Sequence, residues 1–313
     1  SVRQFAREIG VDIYSVAGSG PGGRISIEDV KKYAREQRQR ATVLETTVAP
    51  QPPSAQPAAP VTPVVTTGPG ATPLPDFSAF GPIDRQPMSA VRRATADHLS
   101  IAWREAPHVT QFDTADVTEL EALRKRFQPR VEKAGAKLTV TAMIIKIVAA
   151  ALKAFPQVNA SVDMQTHEIV YKRYYHLGVA ADTDRGLVVP VLRDVDRLSL
   201  VEIAKGLGDL STRARERKLK PDEMQGGTFT ITNLGGLGGK HFTPVLNWPE
   251  VGILGVGRAA IQPVYVGDEL KPRLMLPLAF SYDHRVVDGA DGTRFLRWLV
   301  EAMEDPILLI LEG

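Results

Sequence analysis

Between Thr46 and Ile83 a single charged residue, Asp76, interrupts a run dominated by Pro, Ala, Thr, Val and Gln, and no packed domain can be drawn across it. Pro50, Pro52, Pro53, Pro57, Pro60, Pro63, Pro69, Pro73, Pro75 and Pro82 fix φ and remove backbone donors, so neither helix nor sheet propagates there. Such a composition buries too little apolar surface to offset chain entropy and favours disordered, extended polyproline conformations. At about 3.1 Å per residue, some forty residues reach on the order of 120 Å, the span of a tether. The chain therefore divides into residues 1–38, a Pro/Ala/Thr-rich flexible linker over 39–84, and residues 85–313.

Residues 85–313 alternate helical and strand periodicities. Thr118 with Glu121 predicts a capped helix running toward Glu132. The apolar stretch from Val140 to Phe155 predicts a buried helix, interrupted by Lys146 and Lys153 and too short to span a bilayer. Strand patterns fall at 168–172, 175–181, 186–192, 227–233, 251–257 and 273–282, with helices near 199–217 and 288–304. Helices among several hairpins predict an α/β domain on a mixed sheet. Pro277 inside a strand pattern marks an edge or a bulge.

Residues 1–40 hold eight Lys/Arg against five Asp/Glu, whereas the whole chain carries a formal charge of only +2. A basic small unit beside a near-neutral large one suits docking on an acidic surface, and equally a solvated basic face. Val2, Phe5, Ala6 and Ile9 recur at helical spacing before Gly10, and Ser26 with Asp29 forms a capping box for a second helix. Gly18, Gly20 and Gly23 spell a dinucleotide fingerprint, but that motif needs a preceding strand and a second strand ending in an acidic residue. Here a helix precedes and a proline tract follows, so turn glycines are the better account.

The chemistry concentrates in Ser281-Tyr282-Asp283-His284-Arg285-Val286-Val287-Asp288-Gly289, on the passage from an apolar strand into a helix. A histidine at such a junction is positioned by rigid elements yet open to ligand, and an aspartate four residues on makes it a candidate general base. The same spacing also serves purely structural histidines. The stretch Gly226 to Gly239 runs a β-branched strand into a glycine-dense turn, offering the Thr232 hydroxyl and the Asn233 amide. It fits a ligand cradle or a mobile surface turn. There is no cysteine, and no two of the six histidines sit at metal-ligand spacing, so the reading holds no metal site. The serine-hydrolase elbow is absent too. Neither a nucleic-acid surface nor a membrane span is expected. The chain opens on Ser1 and reads as part of a longer protein, so a missing targeting segment carries no weight.

On these residues the chain resembles the dihydrolipoamide acyltransferase family of the 2-oxo acid dehydrogenase complexes. Asp283-His284-Arg285 through Asp288-Gly289 is similar to the family's active-site motif, Thr230 to Gly235 to its second motif, and residues 1–38 to its peripheral subunit-binding domain. The resemblance implies a chloramphenicol-acetyltransferase-like mixed-sheet catalytic domain, preceded by the small helical domain and the disordered linker. It implies acyl transfer between dihydrolipoamide and coenzyme A, with His284 as base and Asp288 as the motif partner that holds geometry. Thr232 stands where the family usually has the serine that hydrogen-bonds the oxyanion; the hydroxyl is kept and a methyl added. Asn233 matches a residue beside coenzyme A, and Arg124, Thr139, Asp182 and Gly257 align with other coenzyme contacts.

Arg3, Arg7 and Arg24 match the basic residues that engage partner enzymes, namely dihydrolipoamide dehydrogenase and the thiamine-dependent pyruvate dehydrogenase. Catalytic domains of the family form homotrimers that build a larger cage, so His284 and Thr232 are expected to meet across an interface. The lipoyl group would be carried on a domain absent from this chain, and no metal is implied. Pro272 to Pro277 and Gly289 to Phe295 are most similar to the acetyl branch, that of the pyruvate dehydrogenase complex. Branched-chain or succinyl transfer, or a non-catalytic core scaffold, are the alternatives. A cytoplasmic location follows for a bacterial chain, the mitochondrial matrix for a eukaryotic one.

Overall fold

The computed structural model describes residues 2, 6, 12, 15–20, 25–44, 73–184 and 186–308. The chain forms two compact units, Ser1–Ile83 and Asp84–Gly313. In the first, Ala6, Val16 and Val30 are buried together. Helix α1 (Ile27–Leu44) opens on the box read from the sequence: the Asp29 N–H donates to Ser26 Oγ (3.3 Å) and the Ser26 N–H to Asp29 Oδ2 (2.8 Å). The Ser19 N–H and hydroxyl donate to the same carboxylate, at 3.2 and 2.7 Å. These donors hold Asp29 well below the usual carboxylate range and tie the glycine-rich loop to the helix. The helix passes the boundary expected at 38, because Gln, Arg and Ala over 37–41 favour helix and the next proline is Pro50.

The second unit begins with α2 (Ala90–Glu105) and β1 (His108–Asp116), neither of which the sequence signalled. Only Ala102 of α2 is buried, so it lacks an apolar stripe, and β1 alternates Thr, Gln and Asp. Next come α3 (Thr118–Lys133), α4 (Val140–Ala154), the hairpin of β2 (Ala160–Asp163) and β3 (Glu168–Tyr171), and β4 (Leu177–Val179). A second hairpin, β5 (Ala181–Thr183) with β6 (Gly186–Val188), precedes β7 (Val191–Leu192) and α5 (Leu200–Arg215). Strands β8 (Phe229–Asn233), β9 (Gly252–Val256), β10 (Ala260–Val266) and β11 (Glu269–Asp283) lead to α6 (Gly289–Glu304).

The main sheet runs β1-β11-β9-β8-β4-β7, with β10 on β11. It is mixed: β1, β11 and β9 are antiparallel neighbours, β9, β8 and β4 parallel ones. Leu276, Leu278, Phe280 and Tyr282 of β11 alternate toward the core, joined by Phe229 and Ile231 of β8 and Leu254 and Val256 of β9. Helices α3 to α6 cover that face, and α4 alone buries nine residues. Burying such side chains stabilises by about 1.5–3 kcal/mol each before chain entropy is subtracted.

Two local expectations are corrected. Thr118 is not the cap of α3, which starts from Val117 without a side-chain cap bond. The Thr118 hydroxyl donates to Asp116 Oδ1 (2.6 Å) and accepts from the Leu274 N–H (2.8 Å), fastening α3 to β11. Pro277 lies within β11 opposite Thr114, where the strand's other neighbour changes from β10 at Met275 to β9 at Leu278. A residue without an N–H fits at that break. Among the described residues no helix is long and apolar enough to cross a membrane, and no group of three His, Cys, Asp or Glu could hold a metal ion.

Candidate active site

The turn after β11 presents His284. Asp283, 3% exposed, ends the strand; its carboxylate takes Arg285 Nη2 (2.6 Å), Arg285 Nε (3.0 and 3.1 Å) and the Arg285 N–H (3.0 Å). Its carbonyl accepts the N–H groups of Val286 and Val287, both at 3.1 Å. That latch reverses the chain within one turn. The His284 N–H donates to Pro107 O (3.0 Å), while its side chain is exposed, with the ring 5.8 Å from that of Tyr282. Asp288 caps α6 by accepting the Asp291 N–H at 3.3 Å. The motif thus divides its labour: Asp283 fixes the turn, His284 faces outward, and Asp288 starts the helix.

Thr232 lies on β8, 9% exposed, on the sheet face turned away from α3 to α6. It pairs with Gly255, which pairs with Ala279. A side chain on Gly255 would strike the Phe242 ring, 2.8 Å from the Cβ position, so that ring roofs the strand beside Thr232. His284 is five residues beyond Ala279 and two strands across. By strand geometry the separation is roughly 17 Å along and about 10 Å across. One chain does not bring the two side chains together.

Behind Thr232 sits a buried acid. Glu250 accepts the Thr230 hydroxyl (2.6 Å) and Asn247 Nδ2 (2.9 Å), and His98 Nε2 is 3.0 Å from Asn247 Oδ1. Burial pushes the Glu250 carboxyl up to about 7, against the opposing pull of Thr230, Asn247 and Lys172. Burial likewise pushes Lys172 down. An unfolded glutamate loses its proton near 4.5, so between that pH and about 7 the folded chain binds more protons than the unfolded one. This contribution to stability therefore declines as pH rises through that window, by on the order of 3 kcal/mol. Glu250→Gln keeps an acceptor for Asn247 and reverses the Thr230 hydrogen bond, its amide donating to the hydroxyl. Its Tm is expected to match the parent near pH 5 and exceed it near pH 8; parallel melting curves at both pH values would contradict this.

A cleft of about 1050 Å³ opens at the far end of β8. Of the residues read from the sequence, Thr139, Asp182 and Asn233 line it. Thr139 caps α4, accepting the Ala142 N–H at 3.1 Å. Asn233 donates to Thr141 Oγ1 (3.0 Å) and accepts the Gly235 N–H (2.8 Å), so the amide clamps the strand end to α4. Lys137, Lys205 and Arg215 also line the cleft. Nothing in their local spacing signals them, since they come from a loop and two distant turns of α5.

Arg124 and Gly257 are not among the residues lining this cleft. Arg124 is held by both Glu121 oxygens (2.7 and 2.8 Å) and donates to Leu138 O (3.2 Å), a structural pairing outside the cleft lining. Gly257 lets the chain cross: a Cβ there would clash with Lys240 O. Arg3, Arg7 and Arg24 lie outside the described residues.

Comparison with known proteins fits this geometry. The family described as 2-oxoacid dehydrogenases acyltransferase (catalytic domain) matches residues 81–311, and the e3 binding domain matches residues 1–36. The chain is 45% identical to the dihydrolipoyllysine-residue acetyltransferase component of the pyruvate dehydrogenase complex of Pseudomonas aeruginosa, covering 99% of this chain and 54% of the relative. The Bacillus subtilis counterpart is 42% identical over 100% of this chain and 67% of its own length. The chain thus spans between about half and two thirds of these curated relatives. Among solved structures, one concerns a serine, a histidine and an asparagine in the catalytic mechanism of the Azotobacter vinelandii dihydrolipoamide acetyltransferase. It is 44% identical with a TM-score of 0.74, over 77% of this chain and 99% of that one. The cubic core of the pyruvate dehydrogenase multienzyme complex matches with the same identity, coverage and TM-score. The chain belongs to the 2-oxoacid dehydrogenase acyltransferase family.

Proposed function

We propose that the chain transfers an acetyl group between dihydrolipoamide and coenzyme A, as the core component of a pyruvate dehydrogenase complex. The observation that carries this reading is the exposed His284 imidazole, fixed by the Asp283–Arg285 latch at a strand end. In the Azotobacter relative the named serine stands 52 positions before the named histidine and the asparagine four after it. Thr232 and Asp288 hold those two offsets from His284 here, with threonine for serine and aspartate for asparagine.

A thiol is mostly protonated near neutral pH and attacks as thiolate. His284 takes the proton from the coenzyme A sulfhydryl. The sulfur then adds to the acetyl-dihydrolipoamide thioester, and the carbonyl electrons move to oxygen. The Thr232 hydroxyl donates to that oxyanion, and collapse expels the dihydrolipoamide sulfur, which regains the proton from His284. Direct transfer between two thiols needs no acyl-enzyme, and the chain has no cysteine to form one. Since His284 and Thr232 stand apart in one chain, we assign the complete site to neighbouring copies in a homotrimer, trimers building the larger cage.

The cleft holds coenzyme A. Its volume suits a long flexible ligand, Asn233 leads directly into Thr232, and Lys137, Lys205 and Arg215 supply cations for phosphates. Residues 1–38 recruit dihydrolipoamide dehydrogenase and the thiamine-dependent pyruvate dehydrogenase, and the lipoyl group arrives on a separate domain. With free dihydrolipoamide, turnover is expected to be highest with acetyl-coenzyme A and at least ten-fold lower with the succinyl and isobutyryl thioesters. A preference for either of those reassigns the acyl group, and no transfer from any of the three makes the chain a scaffold.

A further inference from the structure

Beneath the turn that carries His284, a polar group is buried without a protein partner. The Tyr282 side chain is fully buried and its hydroxyl makes no hydrogen bond. An unmatched buried hydroxyl costs about 1–3 kcal/mol, so phenylalanine would serve the core better. The ring already has its apolar neighbour in Phe280, 5.1 Å away.

The position of the hydroxyl is informative. It lies 3.1 Å from where a Cβ on Gly292 would stand, and the ring carbons are nearer still, at 2.6 and 2.8 Å. Gly292 is therefore glycine to admit this ring. The Gly292 N–H donates to Asp288 O (2.9 Å), so the hydroxyl sits under the first turn of α6, the turn that Asp288 caps. The cap uses Asp288 Oδ1 and leaves Oδ2 for another donor.

A second unpaired atom lies against the same turn. Gln111 on β1 donates through Nε2 to Gly289 O (3.0 Å) and Thr293 Oγ1 (2.9 Å), while its buried Oε1 has no partner. The underside of this turn is thus polar on both adjoining strands. Burial, and after it the Asp288 carboxylate, push the Tyr282 phenol up, as expected for a hydroxyl close to a negative charge. The phenol stays a donor throughout the neutral range.

We infer that Tyr282 is a positioning residue for the proposed transfer: its hydroxyl, through one bridging water, donates to Asp288 and fixes that carboxylate relative to His284. The strand that ends in the base and the helix cap that follows it are then joined through that bridge. Other charged groups face this region: Asp283 and Arg285 on the turn, Glu105 at the end of α2, His108 on β1, and Asp291 paired with Arg294 on α6. Asp283 and Asp291 are already held by arginines, which leaves Asp288 as the carboxylate open to the phenol.

This inference rests on the proposed acetyl transfer, and the test separates the two. Wild type, Tyr282→Phe, Asp288→Ala and the double variant are compared in the acetyl-transfer assay. Gln111→Leu, alone and with Tyr282→Phe, is the control pair. Tyr282→Phe is expected to lower kcat at least five-fold, with each KM within two-fold and Tm equal or higher. The double variant with Asp288→Ala should be no slower than Asp288→Ala alone, because both remove one interaction. Unchanged kcat in Tyr282→Phe, multiplicative losses with Asp288→Ala, or non-additivity only with Gln111→Leu each overturn the inference.

A wild type that transfers nothing sinks the proposed function instead. The reaction of diethylpyrocarbonate with His284, followed by peptide mass spectrometry across pH, then decides the role of Tyr282. With the carboxylate no longer fixed, the profile of His284 modification in Tyr282→Phe should differ measurably from that of wild type. Superimposable profiles reject the positioning role.

Discussion

His284→Ala is expected to lower acetyl transfer by about 10²–10⁴-fold, the range typical of losing a positioned general base. The loss should fall on kcat, with Tm and particle size unchanged. The ring is exposed, so removing it opens no core cavity, and the bond from His284 to Pro107 O is made by the backbone. Steady-state assays with acetyl-coenzyme A and dihydrolipoamide, beside a melting curve, measure both. Turnover within three-fold of the parent would remove His284 from the chemistry.

Thr232→Val should lower kcat by about 10²–10³-fold, the effect of deleting one oxyanion donor. The swap keeps the branched shape on a strand where Thr232 is nearly enclosed, so packing beside Gly255 and Phe242 changes little. Since the hydroxyl acts only once negative charge develops, both KM values should hold. Thr232→Ser restores the donor without the methyl and should stay within about three-fold of the parent. If valine works as well as serine, the oxyanion is stabilised elsewhere.

The motif around the proposed base was legible because its residues are contiguous. Asp283 to Gly289 spans the end of a strand, a turn and a helix cap, so type and spacing already define the local geometry. The mixed sheet and the long helices were legible through their periodicity. α2 and β1 were not, because one buries almost nothing and the other sets Thr, Gln and Asp along a half-buried strand. The resemblance implies a coenzyme contact for Arg124, and spacing did not reveal that Glu121, three residues earlier on the same helix face, pairs with its guanidinium. Lys137, Lys205 and Arg215 carry no local signature, and only the fold gathers them. The separation of Thr232 from His284 was hidden for a similar reason: strand order and register set it, and neither follows from spacing along the chain.

That separation gives the account its sharpest test. His284→Ala and Thr232→Val chains, each inactive alone, can be co-expressed and purified through different tags as mixed particles. If the site is completed between neighbouring copies, random mixing pairs an intact His284 with an intact Thr232 at roughly a quarter of the interfaces. Mixed particles should then recover roughly that share of wild-type turnover, while the two variants combined after assembly stay inactive. Particles proven to contain both chains yet no more active than either variant would contradict the shared site.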